Sequence, residues 1–384
     1  MSRFVPIGVS VSSDSAGKAR RMVPHRASRV VWLLAGLALV FSVLAGPAQA
    51  RQSTKKAIWG PTRIDGVSQF PLYRDLGAGV YQGGLHWSSV ARRRPANPRD
   101  PRDPAYAWPS DLAYAVSQAR RYGMKVSLLI IGAPRWSNGN RPFNYSPRRL
   151  GDFADFAAAA ARRYPTVNLW QIWGEPSRAP NWRPMIRARS GRKLTARQAA
   201  APRRYARMLD ASYAALKGVR RSNRVIGGMT FTTGDILTRQ WIENMRLPNG
   251  KPPRMDMYGH NPFSFRPPDL RQKPQRAGWI DMSDLDDLTA LVDRNLKRSR
   301  RQRIPLYLSE FTISTAPDSE FGSFSVTPAT QARWIRSALR ITRRMSRIYT
   351  LGWVHVRDIA GVTSGGLIYS SGERKPGYFA FRAG

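Results

Sequence analysis

The 384-residue chain contains no cysteine, which excludes a disulfide framework, a thiol nucleophile and thiolate metal ligands. Histidine is scarce: four occur, at positions 25, 86, 260 and 355, with no His-Glu-x-x-His and no paired spacing. Neither a metal nor any other cofactor is therefore expected. There is no Gly-x-Ser-x-Gly elbow and no phosphate-cradling Gly-x-x-x-x-Gly-Lys-Ser/Thr loop. The stretch Gly77-Ala-Gly79-Val-Tyr-Gln-Gly83 has one residue too many for a dinucleotide fingerprint. Acidic side chains are few, 24 against 63 basic ones, giving a formal net charge of +39. What is present is apolar (42%) and aromatic (10%) enough for a packed core and too much so for a disordered chain.

The first fifty residues read as a leader. Arg20, Arg21, Arg26 and Arg29 precede an uncharged run from Val30 to Gly46, followed by Pro47-Ala-Gln-Ala50. A basic segment, an apolar segment and a small-residue exit predict a secretory signal peptide over 1–50, cleaved after Ala50. The alternative is a retained anchor, for which the apolar run is at the short limit. No later stretch is long and apolar enough to span a bilayer, so an exported, extracellular single domain over 51–384 is expected, without a membrane span after cleavage and as a monomer.

Removing the leader takes away six basic residues and one acidic one, which leaves 39 − 5 = +34. A charge of that sign suits an anionic neighbour such as a wall polymer. However, the cations are mostly Arg and are spread along the chain, which equally describes solvated helix faces and gives no specific nucleic-acid signal.

Short apolar runs alternate with stretches of helical period. The strand candidates are Ala57–Gly60, Gly79–Leu85, Lys125–Gly132, Val167–Trp173, Arg224–Phe231, Met255–Gly259, Pro305–Ser309 and Thr350–Val356. Between them Leu112, Val116 and Ala119, then Phe153, Phe156, Ala157 and Ala160, then Trp334, Ala338 and Ile341 mark helix faces. Ser146-Pro147 and Thr327-Pro328 read as helix starts, and Ser283-Asp-Leu-Asp286 as an acidic first turn. Eight strands that are apolar nearly throughout, separated by helices, predict an α/β fold with an all-parallel sheet closed into a (β/α)8 barrel. An open doubly wound sheet is the alternative. Three long loops, 95–109, 176–204 and 262–274, follow strands two, four and six, on the face where such barrels build their sites.

Because acids are few, their positions carry information. Glu175 closes the fourth strand in Asn168-Leu-Trp-Gln-Ile-Trp-Gly-Glu175-Pro176, and Glu310 closes the seventh in Pro305-Leu-Tyr-Leu-Ser-Glu310-Phe311. Two carboxyl groups facing each other across a barrel mouth suit glycosidic-bond cleavage: one protonates the leaving oxygen while the other, ionised, works on the opposite face of the sugar. The other reading makes both glutamates structural ions, paired with the abundant Arg.

At these residues the chain resembles the clan-A glycoside hydrolases, the (β/α)8 superfamily that includes cellulase-like and xylosidase-like secreted enzymes. The phrase Trp170-Gln-Ile-Trp-Gly-Glu175-Pro176 is similar to that clan's acid/base motif and Leu308-Ser-Glu310-Phe311 to its nucleophile strand. Asp256-Met-Tyr-Gly-His260-Asn261-Pro262-Phe263 is similar to its sixth-strand segment, and Lys375-Pro-Gly-Tyr-Phe-Ala-Phe381 to its closing tail. The resemblance, which covers most of 56–382, implies a retaining O-glycosidase acting on a carbohydrate, with Glu175 as acid/base and Glu310 as nucleophile. The chain departs from the pattern at Gly174, where the clan carries an Asn that bonds the sugar 2-hydroxyl. Asn261 and Gln82 are the candidate replacements. Trp87, Trp136, Trp182 and Trp353 follow strands two, three, four and eight and are candidate stacking surfaces for sugar rings. Tyr258 and His260 on strand six complete the expected substrate-binding set, with core packing as the alternative for each. Two further readings follow: a weakly active or inactive glycan-binding barrel of the envelope, suggested by Gly174, and a basic protein held to an anionic polymer by charge.

Overall fold

The computed structural model describes residues 50–188, 192–319 and 321–384. The predicted signal peptide, residues 1–50, lies outside the described residues except for Ala50. Eight parallel strands close into a barrel: β1 (Ser53–Trp59), β2 (Ala78–His86), β3 (Lys125–Ile131), β4 (Leu169–Ile172), β5 (Arg224–Phe231), β6 (Met257–Asn261), β7 (Leu306–Phe311) and β8 (Ile348–Trp353). Each pairs with its neighbours in sequence, and β1 closes the ring, with Ala57 opposite both Val80 of β2 and Gly352 of β8. One main helix follows each strand: α1 (Phe70–Asp75), α2 (Ser110–Arg121), α3 (Leu150–Arg163), α4 (Ala196–Val219), α5 (Thr238–Asn244), α6 (Leu285–Asn295), α7 (Pro328–Arg344) and α8 (Pro376–Ala383), with additional single turns at Trp87–Val90 and Arg135–Asn138. The (β/α)8 barrel expected from the sequence is the fold found. No helix among the described residues is long and apolar enough to cross a membrane.

Local chemistry sets several boundaries. Thr327 accepts a hydrogen bond from the Thr330 amide, and Pro328 occupies the first helical position, as anticipated. Ser146-Pro147 does not start a helix; α3 begins at Leu150 after Arg149. Thr195 and Gln198 form a reciprocal capping box, so α4 begins at 196 and the preceding loop is shorter than its composition suggested. A two-stranded hairpin, Arg63–Ile64 with Val67–Ser68, follows β1 and was not anticipated. The strand β4 stops at Ile172 because Trp173 takes a left-handed backbone, φ 63°.

Strand alternation separates two interiors. One set of side chains packs between barrel and helices, where the large core lies. The other fills the lumen, with Ala57, Val80, Leu169, Ile226, Met257 and Tyr307 forming an apolar plug. Two residues further along β2 and β4, the lumen turns polar. Gln82 Nε2 donates to the Ser309 carbonyl (2.8 Å), while Gln82 Oε1 accepts from Gln171 Nε2 (3.0 Å), the Tyr307 hydroxyl (2.9 Å) and Ser309 Oγ (3.2 Å). Gln171 also donates to Ser127 Oγ (3.0 Å) and accepts from Ser309 Oγ (2.8 Å). Gln82, Ser127, Gln171 and Ser309 are all fully buried. A buried polar layer is tolerable only when its donors and acceptors are matched, as they are here.

At the opposite end, buried Lys56 donates from Nζ to the carbonyls of Leu76 (2.8 Å), Phe381 (3.1 Å) and Arg382 (3.3 Å), tying β1 to the ends of α1 and α8. Burial, with the charges of Arg343 and Arg382, pulls its pKa down to about 8.

Replacing Gln82 with Leu removes four buried hydrogen bonds at once, although the Ser309 carbonyl keeps the Trp59 indole, Gln171 Nε2 keeps Ser127 and Ser309 Oγ keeps Gln171. Each lost bond is worth about 0.5–1.5 kcal/mol net. Urea unfolding of Gln82→Leu is therefore expected to show a loss of at least about 2 kcal/mol; a loss below about 0.5 kcal/mol would show that the layer is not cohesive.

Candidate active site

The carboxyl ends of the strands open into a cleft of about 710 Å³. Its wall runs from Trp59 at the end of β1 through Gly84 and His86 of β2, Leu129 and Ile131 of β3, Glu310 of β7 and the segment after β8 from Val354 to Ile359. Alternation explains the members from β1, β2 and β3. Ala57 and Trp59, Gln82, Gly84 and His86, and Ser127, Leu129 and Ile131 all project inward in order of height, and the highest of each set borders the cleft. Most of the lining is aliphatic or aromatic, with Glu310, Asp358, Arg357 and two histidines as its charged or titratable groups.

Glu310 is partly buried and sits directly after the polar layer. The carbonyl of Ser309, one residue before it, accepts from both Gln82 Nε2 (2.8 Å) and the Trp59 indole (3.0 Å). Two buried or half-buried donors on one carbonyl fix the backbone that carries the carboxylate. Gly352 of β8 completes the fit, since a Cβ there would lie 2.0 Å from the Ser309 oxygen and 2.3 Å from Gln82 Nε2.

Glu175 is placed differently. It follows the left-handed turn of Trp173 and itself has φ 43°, an uncommon conformation for a residue with a side chain. It is 7% exposed. Its Oε1 accepts from Asn261 Nδ2 (3.0 Å) at the end of β6. Its Oε2 accepts from Arg178 Nη1 (2.5 Å) and Asn181 Nδ2 (3.0 Å). The Arg178 guanidinium also lies 4.4 Å from the Phe231 ring centre. Glu175 is not among the residues lining the main cleft; beside it, methyl groups of Leu129 and Ile131, which do line the cleft, lie 3.4 and 3.3 Å from where a Gly174 Cβ would stand. A side chain at position 174 would therefore pack against aliphatic groups of β3.

Several expected sugar contacts lie elsewhere. Trp87, Trp182 and Trp353 are buried between barrel and helices: Trp87 against Trp136, Phe153 and Phe156, Trp182 against Trp173 and Tyr205, and Trp353 between Phe311 and Phe381. They are core residues because alternation, or the loop just after the strand, turns them outward. Trp136 is half-buried, donates to the Ala91 carbonyl (2.7 Å) and is covered by Arg94. Tyr258 and His260 project from β6 opposite Met257 and Asn261. His260 Nε2 contacts the Ile280 carbonyl (2.9 Å) and must carry the proton, which leaves Nδ1 to accept from Thr230 Oγ1 (2.8 Å). The Tyr258 hydroxyl completes the chain onto Thr230 (2.9 Å). Burial holds His260 neutral, with its pKa pulled down to about 4, and raises that of Tyr258. Gln82 lies beneath the cleft with both ends engaged, so it braces Glu310 and cannot reach a ligand. Asn261 reaches Glu175, and its own Oδ1 is buried without a partner among the described residues.

The sequence reading missed Trp59, the one indole among the described residues that lines the cleft, although its place at the end of β1 on the Ala57 face was a usable signal. His355 was also missed; Asp358 lies on the cleft wall as well. Asp358 is held by buried Lys375 Nζ (2.7 Å) and by the Gly366 amide (2.8 Å). His86, accessible from the cleft, has a pKa lowered by its protein surroundings. Among the described residues no group of three His, Asp or Glu side chains is arranged to hold a metal ion.

No protein-family model matches the sequence, and no curated protein matches it. Solved structures do. A family 39 glycoside hydrolase from Bacteroides cellulosilyticus aligns with a TM-score of 0.61 at 16% identity over 86% of this chain and 63% of its own. A glucosidase from Croceicoccus marinus aligns with a TM-score of 0.59 at 16% identity, over 88% of this chain and 66% of its own. A family 39 β-xylosidase from Caulobacter crescentus aligns at 0.55 and 17% identity, over 88% and 72%. The chain thus spans slightly less than two thirds of the first two. At such identities the likeness establishes the fold.

The His260 environment carries a pH signature. Between about pH 6.5 and 4 the unfolded chain binds a proton that the folded protein refuses, so stability that is complete above pH 6.5 falls toward pH 4, by up to about 3 kcal/mol. Asp284, raised to about 6 by burial, acts in the opposite direction. A direct comparison of wild type with His260→Gln by urea unfolding across this range isolates the histidine. The variant is expected to lose less stability on acidification; an identical slope would contradict the assignment.

Proposed function

We propose that the protein is an exported, retaining glycoside hydrolase that cleaves O-glycosidic bonds of an oligosaccharide or polysaccharide, with Glu310 as nucleophile and Glu175 as acid/base. The observation that carries this reading is Glu310 on the wall of the barrel-mouth cleft, with a second glutamate at the end of β4. Trp59, Leu129, Ile131 and Val354 supply surfaces suited to the C–H faces of a sugar, and His86 on the same wall supplies a group able to bond a hydroxyl. The structural neighbours named as a glucosidase and a β-xylosidase support a carbohydrate substrate.

In this reading a Glu310 carboxylate oxygen attacks the anomeric carbon as the bond to the leaving oxygen breaks, and Glu175 delivers a proton to that oxygen. Water, giving its proton to Glu175, then displaces Glu310 from the same carbon. Glu175 Oε2 faces two donors at rest and no acceptor, so the acid step requires Arg178 to leave the carboxyl. Its guanidinium is half-exposed and already rests on Phe231, which gives it a surface to retain.

The same clasp, together with Gly174, favours a second reading: a glycan-binding barrel with little turnover. A panel of aryl xylosides, glucosides and glucuronides separates the two. Under the hydrolase reading Glu310→Gln abolishes turnover. Glu175→Ala loses about 10²–10⁴-fold on poor leaving groups, far less on dinitrophenyl glycosides, and is rescued by azide with formation of a glycosyl azide. Turnover unchanged in both variants removes the proposal, and oligosaccharide binding by calorimetry with no turnover by the wild type establishes the second reading instead.

A further inference from the structure

The helix α7 reads Pro-Ala-Thr-Gln-Ala-Arg-Trp-Ile-Arg-Ser-Ala-Leu-Arg-Ile-Thr-Arg-Arg over Pro328–Arg344 and has no acidic residue. Its inner face, with Trp334, Ile335, Ala338, Leu339 and Ile341, is buried against the barrel. Arg333, Arg336, Arg340, Arg343 and Arg344 are all exposed. At 3.6 residues per turn they fall within an arc of about 100°, and at 1.5 Å per residue they extend over about 16 Å. Among the described residues no ion pair engages any of them. Elsewhere the few acids are used on Arg: Asp210 on Arg254, Asp281 and Asp284 on Arg266, and Asp293 on Arg347 just beyond this helix. Like charges at i,i+3 and i,i+4 destabilise a helix, so the stripe is a standing cost unless a counter-charge covers it.

The stripe also has grooves on both sides. One, of about 540 Å³, is bordered by Arg343, Lys55 and Arg51. The other, of about 480 Å³, is bordered by Arg340, Arg344 and Arg271 together with Asp269, which Arg271 engages. A linear polyanion lying along the helix would meet guanidinium groups at every turn with further cations on either flank. Guanidinium matches phosphate in paired hydrogen bonds. Single-stranded nucleic acid is recognised by aromatic platforms that stack bases; the stripe itself offers none, since Trp334, the one aromatic residue of α7, faces inward.

We propose that the α7 arginine stripe docks a phosphodiester-linked polymer without bases, a polyol- or sugar-phosphate chain, and thereby holds the protein on an anionic matrix. The surface is separate from the barrel-mouth cleft, so the proposal does not depend on glycosidase activity.

The test uses the full chain and three probes: a glycerol-phosphate polymer, a single-stranded oligonucleotide with the same number of phosphates, and vesicles of anionic lipid. Affinity is measured against salt for the wild type, for Arg336→Glu/Arg340→Glu/Arg344→Glu, and for a control of equal charge change, Arg120→Glu/Arg121→Glu/Arg163→Glu. The expected result is a steep log–log salt dependence on the glycerol-phosphate polymer. The stripe variant is expected to lose at least tenfold in affinity and about two units of slope, and the control less than threefold. A Gln triple at the stripe replaces the Glu triple if the latter does not fold. Equal losses in stripe and control variants would reduce the effect to diffuse charge and overturn the proposal. Stripe-dependent binding that is tighter to the oligonucleotide or to vesicles than to the polymer would overturn it as well.

Discussion

The feature on which the site depends is a matched polar layer inside a closed barrel. Glutamine, serine and tyrosine groups would each be costly to bury alone. Gln82, Gln171, Ser127, Ser309 and Tyr307 instead satisfy one another, and the layer rests on an apolar plug below it. What it fixes is the end of β7. The Ser309 carbonyl is held from two sides, and Gly352 leaves the space that this requires. Glu310 is thereby presented to the cleft from a backbone with little freedom, which is the preorganisation a reacting carboxylate needs.

The opposite glutamate is governed by strain and charge. Left-handed backbone at Trp173 and Glu175 turns the indole outward into the core and carries the carboxyl to Asn261, Arg178 and Asn181. Strained conformations persist where surrounding contacts over-determine them, and they gather at functional sites. The clasp by Arg178 is nevertheless the feature that a catalytic account must explain, because an acid must have a proton to give.

Much of the architecture was legible because it is written in period and punctuation. Eight apolar segments separated by helical stripes have few solutions, and the closed barrel is the one adopted. Glu175 and Glu310 stood out because acids are rare in this chain. The aromatic residues were harder. A tryptophan just after a barrel strand fits either a sugar platform or the layer under the helices, and only side-chain direction decides. For Tyr258 and His260 that direction was readable from the alternation with Asn261, whereas for Trp182 it depends on how a long loop folds back on α4. The left-handed turn at Trp173 left no mark in the sequence, since only glycine advertises such a backbone, and here a bulky indole adopts it.

The account stands on one chemical statement: the carboxylate of Glu310 is the group that meets the anomeric carbon. The most direct measurement is mass spectrometry of the intact protein after incubation with a set of activated 2-deoxy-2-fluoro glycosides, which form the glycosyl-enzyme quickly and release it slowly. The account predicts a mass increase of one fluoroglycosyl unit with at least one sugar, mapped by proteolysis to the peptide containing Glu310 and absent in Glu310→Gln. No adduct with any of the sugars, or one carried by a different residue, would contradict it.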